Sequence, residues 1–210
     1  MKITRISVEV FSHPSRRAVD SAGHAHPGEE KPVNLAMLRI GCDDGSEGYS
    51  FGAPELIRPH IIESFVKKVL LGQNPMNREK IWQELAHWQR GSASQLTDRA
   101  LALVEQALWD LAGRVLKQPV YKLLGGYRDK VKAYASTMCG DEMPGGLDSP
   151  ESYANFAATC QAQGYKGFKL HTWFPPIPWA PNPRKDVECC AAIRDRVGPD
   201  MDLMLDCYHH

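Results

Sequence analysis

Apolar and polar residues alternate from Lys2 to Phe11, and a polar stretch follows from Ser12 to Lys31. Strand side chains alternate faces with a period of two, so the first run predicts a half-buried strand. The polar stretch holds His13, His24, His26, Gly23, Gly28 and two prolines, and reads as a long mobile loop. A second strand is expected over Val33 to Gly41 and a third near Glu47 to Phe51, joined by Asp43-Asp44-Gly45-Ser46. Asp-Gly between two such runs is a hairpin signal, so the chain opens as a small antiparallel meander. Helical spacing comes next. Ile61, Ile62, Phe65, Val66, Val69 and Leu70 share a face, and Gly72 ends that run. Asn77 is placed to cap a helix with Ile81, Leu85 and Trp88 on one side. A longer helix starts near Thr97, runs through Leu101, Val104, Leu108, Leu111, Ala112 and Val115, and is stopped by Pro119.

From Asp129 strands and helices alternate. Val131 to Thr137 predicts a strand, and Gly140 to Gly146 a loop. Ser149-Pro150 reads as a cap with proline at the first helical position, ahead of a stripe of Tyr153, Phe156, Ala157 and Cys160 closed by Gly164. Gly167 to His171 predicts a buried strand, Thr172 to Pro183 a loop rich in proline and tryptophan. A helix over Arg184 to Val197, apolar at Val187, Cys190, Ala191 and Ile193, ends at Gly198-Pro199, and Met201 to Asp206 predicts a last buried strand. Such alternation implies parallel βαβ units. Two of these strands finish on polar groups. Lys169 and His171 are two apart and so point to one side, and Asp206 closes the other strand. Polar residues at the C-terminal ends of successive parallel strands mark the catalytic face of a β/α barrel.

Composition narrows the function classes. Lys and Arg number 25, as do Asp and Glu, so nothing electrostatic favours nucleic acid or an acidic membrane surface. The N-terminus lacks the continuous apolar run of a signal peptide or membrane span, which predicts a cytoplasmic protein. Cys42, Cys139, Cys160, Cys189, Cys190 and Cys207 show no zinc-like C-x₂-C pair and are expected as buried, reduced thiols.

The run Glu105-Gln106-Ala107-Leu108-Trp109-Asp110-Leu111-Ala112-Gly113-Arg114, followed by Gln118-Pro119-Val120-Tyr121-Lys122-Leu123-Leu124-Gly125-Gly126, resembles the signature of the mandelate racemase/muconate lactonizing branch of the enolase superfamily. The resemblance covers the whole chain and agrees with the order of its elements. It implies an α+β capping domain over 1–126, followed over 127–210 by the first three strands of a (β/α)₇β TIM-like barrel. It also implies Mg²⁺-dependent abstraction of the proton α to a sugar-acid carboxylate through an enediolate. Loss of water would follow, making the protein an acid-sugar dehydratase. Racemisation, epimerisation and cycloisomerisation share that first step and stay open. A homo-oligomer acting on a small-molecule sugar acid is expected.

Under this resemblance Lys169-x-His171 occupies the second barrel strand and Asp206 matches the first carboxylate ligand of the metal. A histidine, with an ordinary pKa of roughly 6.5, suits the base, and a neighbouring ammonium favours the substrate carboxylate. His171 is therefore assigned as acid/base and Lys169 as electrostatic partner or second proton carrier. Packing or solvation of both side chains is the plainer alternative. A carboxylate ending an apolar strand is costly to bury unpaired, which favours a metal, with a helix cap or salt bridge as the other explanation for Asp206. In the family the residue two beyond that ligand is often Asn; here it is Tyr208, with His209 next, and both are candidate substrate contacts. His24 and His26 lie in a loop that in the family folds over the barrel mouth, and Trp173 lies in the loop after the Lys-x-His strand. All three are candidate substrate contacts, with ordinary loop packing as the alternative. Trp109 and Asp110 read as architectural.

A barrel of this type takes roughly 250 residues. The stretch after Gly126 suffices for three strands and two helices, so the remaining carboxylate ligands and the second base are expected on later strands. Taken literally, the chain is expected to be the N-terminal portion of an enzyme and inactive alone. A non-catalytic binding or assembly module that lacks the full barrel is the alternative of another class.

Overall fold

The computed structural model describes residues 1–19, 25–137, 146–171 and 181–207, with side chains over the same ranges except at 18, 19 and 25–27. The chain divides into two compact units, 1–14 with 32–129 and 15–31 with 130–210.

The first sheet has the order β1 (Ile3–Val19), β2 (Ala25–Cys42), β3 (Glu47–Gly52). β2 and β3 are antiparallel, with Ala36 opposite Gly52 and Gly41 opposite Glu47. Their turn is the one Asp-Gly predicts: Gly45 sits at φ +85° and the Ser46 amide donates to Asp44 Oδ1 at 3.0 Å. The expected long loop over 12–31 is corrected, because β1 runs on to Val19 and β2 begins at Ala25. His13, Pro14, Arg16 and Arg17 are not buried, so no apolar face marks this stretch as strand. Its hairpin is held by backbone ladders and by contacts such as Arg16 Nε to the Gly28 carbonyl at 3.3 Å.

A 3₁₀ turn (Pro54–Leu56) leads to a continuous helical run in three parts: α1 (Pro59–Ile61), a π-helical stretch (Ile62–Val66) and α2 (Lys67–Leu70). Gly72 ends it at φ +80°. Asn77 precedes α3 (Arg78–Gly91) without capping it, since its side chain bonds no helix amide. Ile81 and Leu85 are buried, but Trp88, in the last turn, stands in solvent with the Lys68 ammonium 6.0 Å from its ring. α4 (Asp98–Leu116) is capped by Thr97, whose Oγ1 accepts from the Ala100 amide at 3.2 Å, and ends at the left-handed Lys117. Short α5 (Val120–Leu123) follows.

α4 packs directly on β3, and this is the centre of the first core. Leu101, Val104, Leu108, Leu111 and Ala112 are buried, as the periodicity predicts. At Gly48 the helix comes so near that a Cβ would stand 2.5 Å from Leu111 Cβ. Asp110 accepts from the Tyr49 amide at 2.9 Å and from Arg114 Nε at 2.7 Å, tying helix to strand. Trp109 lies under the Arg78 guanidinium at 3.7 Å.

The second sheet is parallel and ordered β4 (Ala135–Ser136), β5 (Gly167–His171), β6 (Asp202–Asp206), with α6 (Pro150–Ala162) and α7 (Pro183–Val197) as its crossovers. β4 is shorter than its apolar alternation implies, and Val131 is exposed. α6 starts with a capping box. Ser149 Oγ accepts from the Ser152 amide at 3.2 Å, and Ser152 Oγ accepts from the Ser149 amide at 3.1 Å. Tyr153, Ala157 and Cys160 are buried, while Phe156 is partly exposed with its ring edge-to-face on Phe168. On α7 the buried face is Asp186, Cys189, Ile193 and Val197; of the expected stripe Ile193 is buried, Cys190 is half-buried, and Val187 and Ala191 are exposed. The apolar band of this helix is wider than the face it packs against α6, so periodicity alone misplaces the seam. β6 lies at the sheet edge and is less buried than expected, with Asp202 and Leu205 exposed.

Cys42, Cys160 and Cys189 are buried as expected, but Cys190 is half-buried and Cys207 exposed. Burial pushes the Cys42 thiol up to about 11 and the Cys189 thiol up to about 12. Iodoacetamide at pH 8 is therefore expected to label Cys207 in the native protein, and Cys42, Cys160 and Cys189 only after denaturation. Peptide mass mapping checks this, and native labelling of Cys189 would contradict the packing of α7.

Candidate active site

Alternation along β5 sends Phe168 and Leu170 into the helix-facing core, both fully buried, and turns Lys169 and His171 to the opposite side. The register then does the rest. His171 pairs with Asp206 across β5 and β6, and the Thr137 amide, just past β4, donates to the Lys169 carbonyl at 2.9 Å. Three consecutive strands thus bring Thr137, His171 and Asp206 to one rim, at their C-terminal ends.

Lys169 Nζ lies 2.9 Å from Asp206 Oδ2, and His171 Nε2 lies 3.4 Å from the same oxygen. The imidazole is 7% exposed and the carboxylate 38%, so the carboxylate stands further out and the imidazole behind it. His171 Nδ1 is hydrogen-bonded to the Thr137 carbonyl. A carbonyl only accepts, so Nδ1 carries the proton and a neutral ring has its lone pair on Nε2, the nitrogen facing Asp206. Burial holds the His171 pKa below the ordinary value. The Thr137 bond opposes that shift, the Lys169 charge adds to it, and Asp206 offsets part of it. The Lys169 pKa is raised, chiefly by its hydrogen bond to Asp206. At neutral pH the site therefore holds an ammonium, a carboxylate and a neutral imidazole whose basic nitrogen is fixed in place. That combination is equipped to bind an anion and take a proton from it.

Asp206 offers a hard oxygen donor of the kind Mg²⁺ prefers. Among the described residues no group of three or more His, Cys, Asp and Glu side chains could hold a metal ion. The described residues fit such an ion as one ligand of its shell, and the salt bridge considered for Asp206 from sequence is present as well.

His24, Trp173, Tyr208 and His209 lie outside the described residues, as does the His26 side chain. Two further residues hold these side chains, Thr137 at the rim and Tyr134 at the other end of β4, and neither was singled out from sequence. Thr137 acts through its backbone carbonyl, which no side-chain pattern betrays. Tyr134 presents its ring 5.5 Å from Lys169 Nζ. The signal there was Gly167, a glycine opening β5, where a Cβ would stand 3.0 Å from Tyr134 Cβ. Among the described residues no helix is long and apolar enough to cross a membrane.

Two family models match the chain. Residues 3–125 match the mandelate racemase / muconate lactonizing enzyme N-terminal domain, and residues 152–210 match the enolase C-terminal domain-like model. Among solved structures, D-glucarate dehydratase from Agrobacterium tumefaciens, complexed with magnesium, is 62% identical with a TM-score of 0.86, covering 98% of this chain and 54% of that one. D-galactarolactone cycloisomerase from Agrobacterium fabrum is 29% identical over 215 residues, all of this chain and 52% of the relative. D-gluconate dehydratase from Thermoproteus tenax is 31% identical over 183 residues, 83% of this chain and 35% of the relative. The chain spans about half the length, or less, of these relatives.

Proposed function

Because this chain belongs to the mandelate racemase / muconate lactonizing enzyme family of the enolase superfamily, we propose that the protein carrying it dehydrates acid sugars, with D-glucarate and related aldaric acids as first substrates. The observation that carries this reading is the rim of β5 and β6, with His171 Nε2 3.4 Å and Lys169 Nζ 2.9 Å from one Asp206 oxygen. The dehydratase likeness at 62% identity supports the substrate class.

In this reading Asp206 is one ligand of a Mg²⁺ ion, with the rest of the shell drawn from outside the described residues. Such an ion, when bound, neutralises charge that builds on the substrate carboxylate. Lys169 attracts that carboxylate and orients the α-carbon. His171 takes the α-proton on Nε2 while Thr137 keeps Nδ1 protonated and the ring fixed. The imidazolium so formed is stabilised by the Asp206 carboxylate beside it. The β-hydroxyl then leaves as water, taking up a proton from a general acid, and the enol left behind tautomerises to the keto acid. Cycloisomerisation uses the same first step, and the match to D-galactarolactone cycloisomerase across the whole chain keeps it as a second reading.

The capping domain is placed at 1–126 and the barrel at 127–210, in a cytoplasmic homo-oligomer. His24, His26, Trp173, Tyr208 and His209 are assigned to substrate contact. The test is a screen of the full-length protein against aldaric and aldonic acids, following keto-acid formation. Turnover of an aldarate that stops on chelation and returns with Mg²⁺ is the expected result. Turnover insensitive to chelation, or none with any acid sugar, would refute the assignment.

A further inference from the structure

We propose that Tyr134 is a positioning residue for Lys169, its ring serving as the platform that aims the ammonium at the rim. Tyr134 lies just before β4, in the strand register opposite Gly167, on the same side of the sheet as Lys169. The Lys169 ammonium lies 5.5 Å from the ring centroid and 2.9 Å from Asp206 Oδ2, so it is held between the Tyr134 side chain, whose hydroxyl also interacts with it, and a carboxylate. A lysine stem is flexible and its head needs two such fixed points to keep one direction.

The neighbouring strand is cut to fit. A Cβ at Gly167 would stand 3.0 Å from Tyr134 Cβ and 3.3 Å from Met204 Cε, so the ring's seat depends on glycine there. Lys169 is 20% exposed, and if Asp206 is engaged elsewhere the ring remains its fixed neighbour.

This inference takes the role of Lys169 from the proposed function, but its first readout is independent of activity. In full-length protein labelled with ¹³C-lysine, and assigned with Lys169→Arg, the ring current of Tyr134 should move the Lys169 ε-methylene protons upfield. That shift is expected in the wild type and in Tyr134→Phe, and lost in Tyr134→Leu. On the preferred acid sugar, Tyr134→Leu should lose about tenfold in kcat with its melting temperature unchanged, and Tyr134→Phe should keep kcat within about twofold. A wild-type Lys169 signal at the position of a solvated lysine would overturn the proposal, as would wild-type kcat in Tyr134→Leu. Should the leucine variant fail to fold, the wild-type signal alone decides. An upfield signal in a protein that turns over no acid sugar would uphold the platform and sink the dehydratase reading.

Discussion

Replacing His171 with alanine, in a full-length protein carrying this chain, should lower the rate of α-proton removal by about a thousandfold, within the range general acid–base catalysis supplies. The reason is positional. The Thr137 carbonyl fixes Nδ1 as the donor, and burial keeps the ring neutral, so Nε2 is the basic atom at the rim. No other described side chain offers an unprotonated nitrogen there. Alanine also leaves the Thr137 carbonyl without this donor in a buried place, which costs about 1–3 kcal/mol of stability. The two effects separate in measurement. Thermal unfolding reads the second, and exchange of the substrate α-proton in D₂O reads the first. Exchange within tenfold of wild type in a folded variant would remove His171 from the mechanism.

The second large effect concerns the fold. Gly48→Ala should destabilise the protein by about 3 kcal/mol or more. The added methyl would meet Leu111 Cβ at 2.5 Å and the Leu111 amide nitrogen at 2.6 Å. Backbone atoms have no rotamer to escape into, so α4 must lift from β3. That movement breaks the 2.9 Å bond from the Tyr49 amide to Asp110 and loosens the buried face through Ala107 and Leu111. Gly52→Ala is the control on the same strand. Its methyl would meet Leu103 Cδ1 at 2.6 Å, the far end of a side chain that can turn aside. It should cost less than about 1 kcal/mol. Urea unfolding of both variants checks the pair, and equal stabilities would show that α4 does not seat on β3 through Gly48.

Much of this architecture was legible because single signals pointed one way. Thr97 and Ser149 cap their helices through side-chain oxygens, and Asp44-Gly45 makes its turn. Lys169 and His171 leave β5 on the side that a period of two assigns them. The misreadings of the hairpin and of α7 share a cause, which is that burial is a property of the packed pair and not of one segment. The outer half of the β1–β2 hairpin has no apolar face and so looked like loop. α7 carries apolar residues at Val187 and Ala191 that stay exposed, and its true seam runs one position over, through Cys189. Asn77 has the right residue type for a cap, but its backbone at φ −84°, ψ 48° leaves the side chain off the helix amides. Within the site, the side chains proposed to do chemistry, Lys169, His171 and Asp206, were visible in the sequence. The groups that hold them, the Thr137 carbonyl and the Tyr134 ring, depend on register between strands far apart in the chain.

The rim geometry is tested most directly by anomalous scattering from crystals of the full-length protein soaked with Mn²⁺ and an unreactive acid-sugar analogue. The account predicts an ion about 2.1 Å from an Asp206 carboxylate oxygen, Lys169 turned to the analogue's carboxylate, and His171 Nε2 facing its α-carbon. An ion bound away from Asp206, or an analogue whose α-carbon lies beyond reach of Nε2, would contradict it.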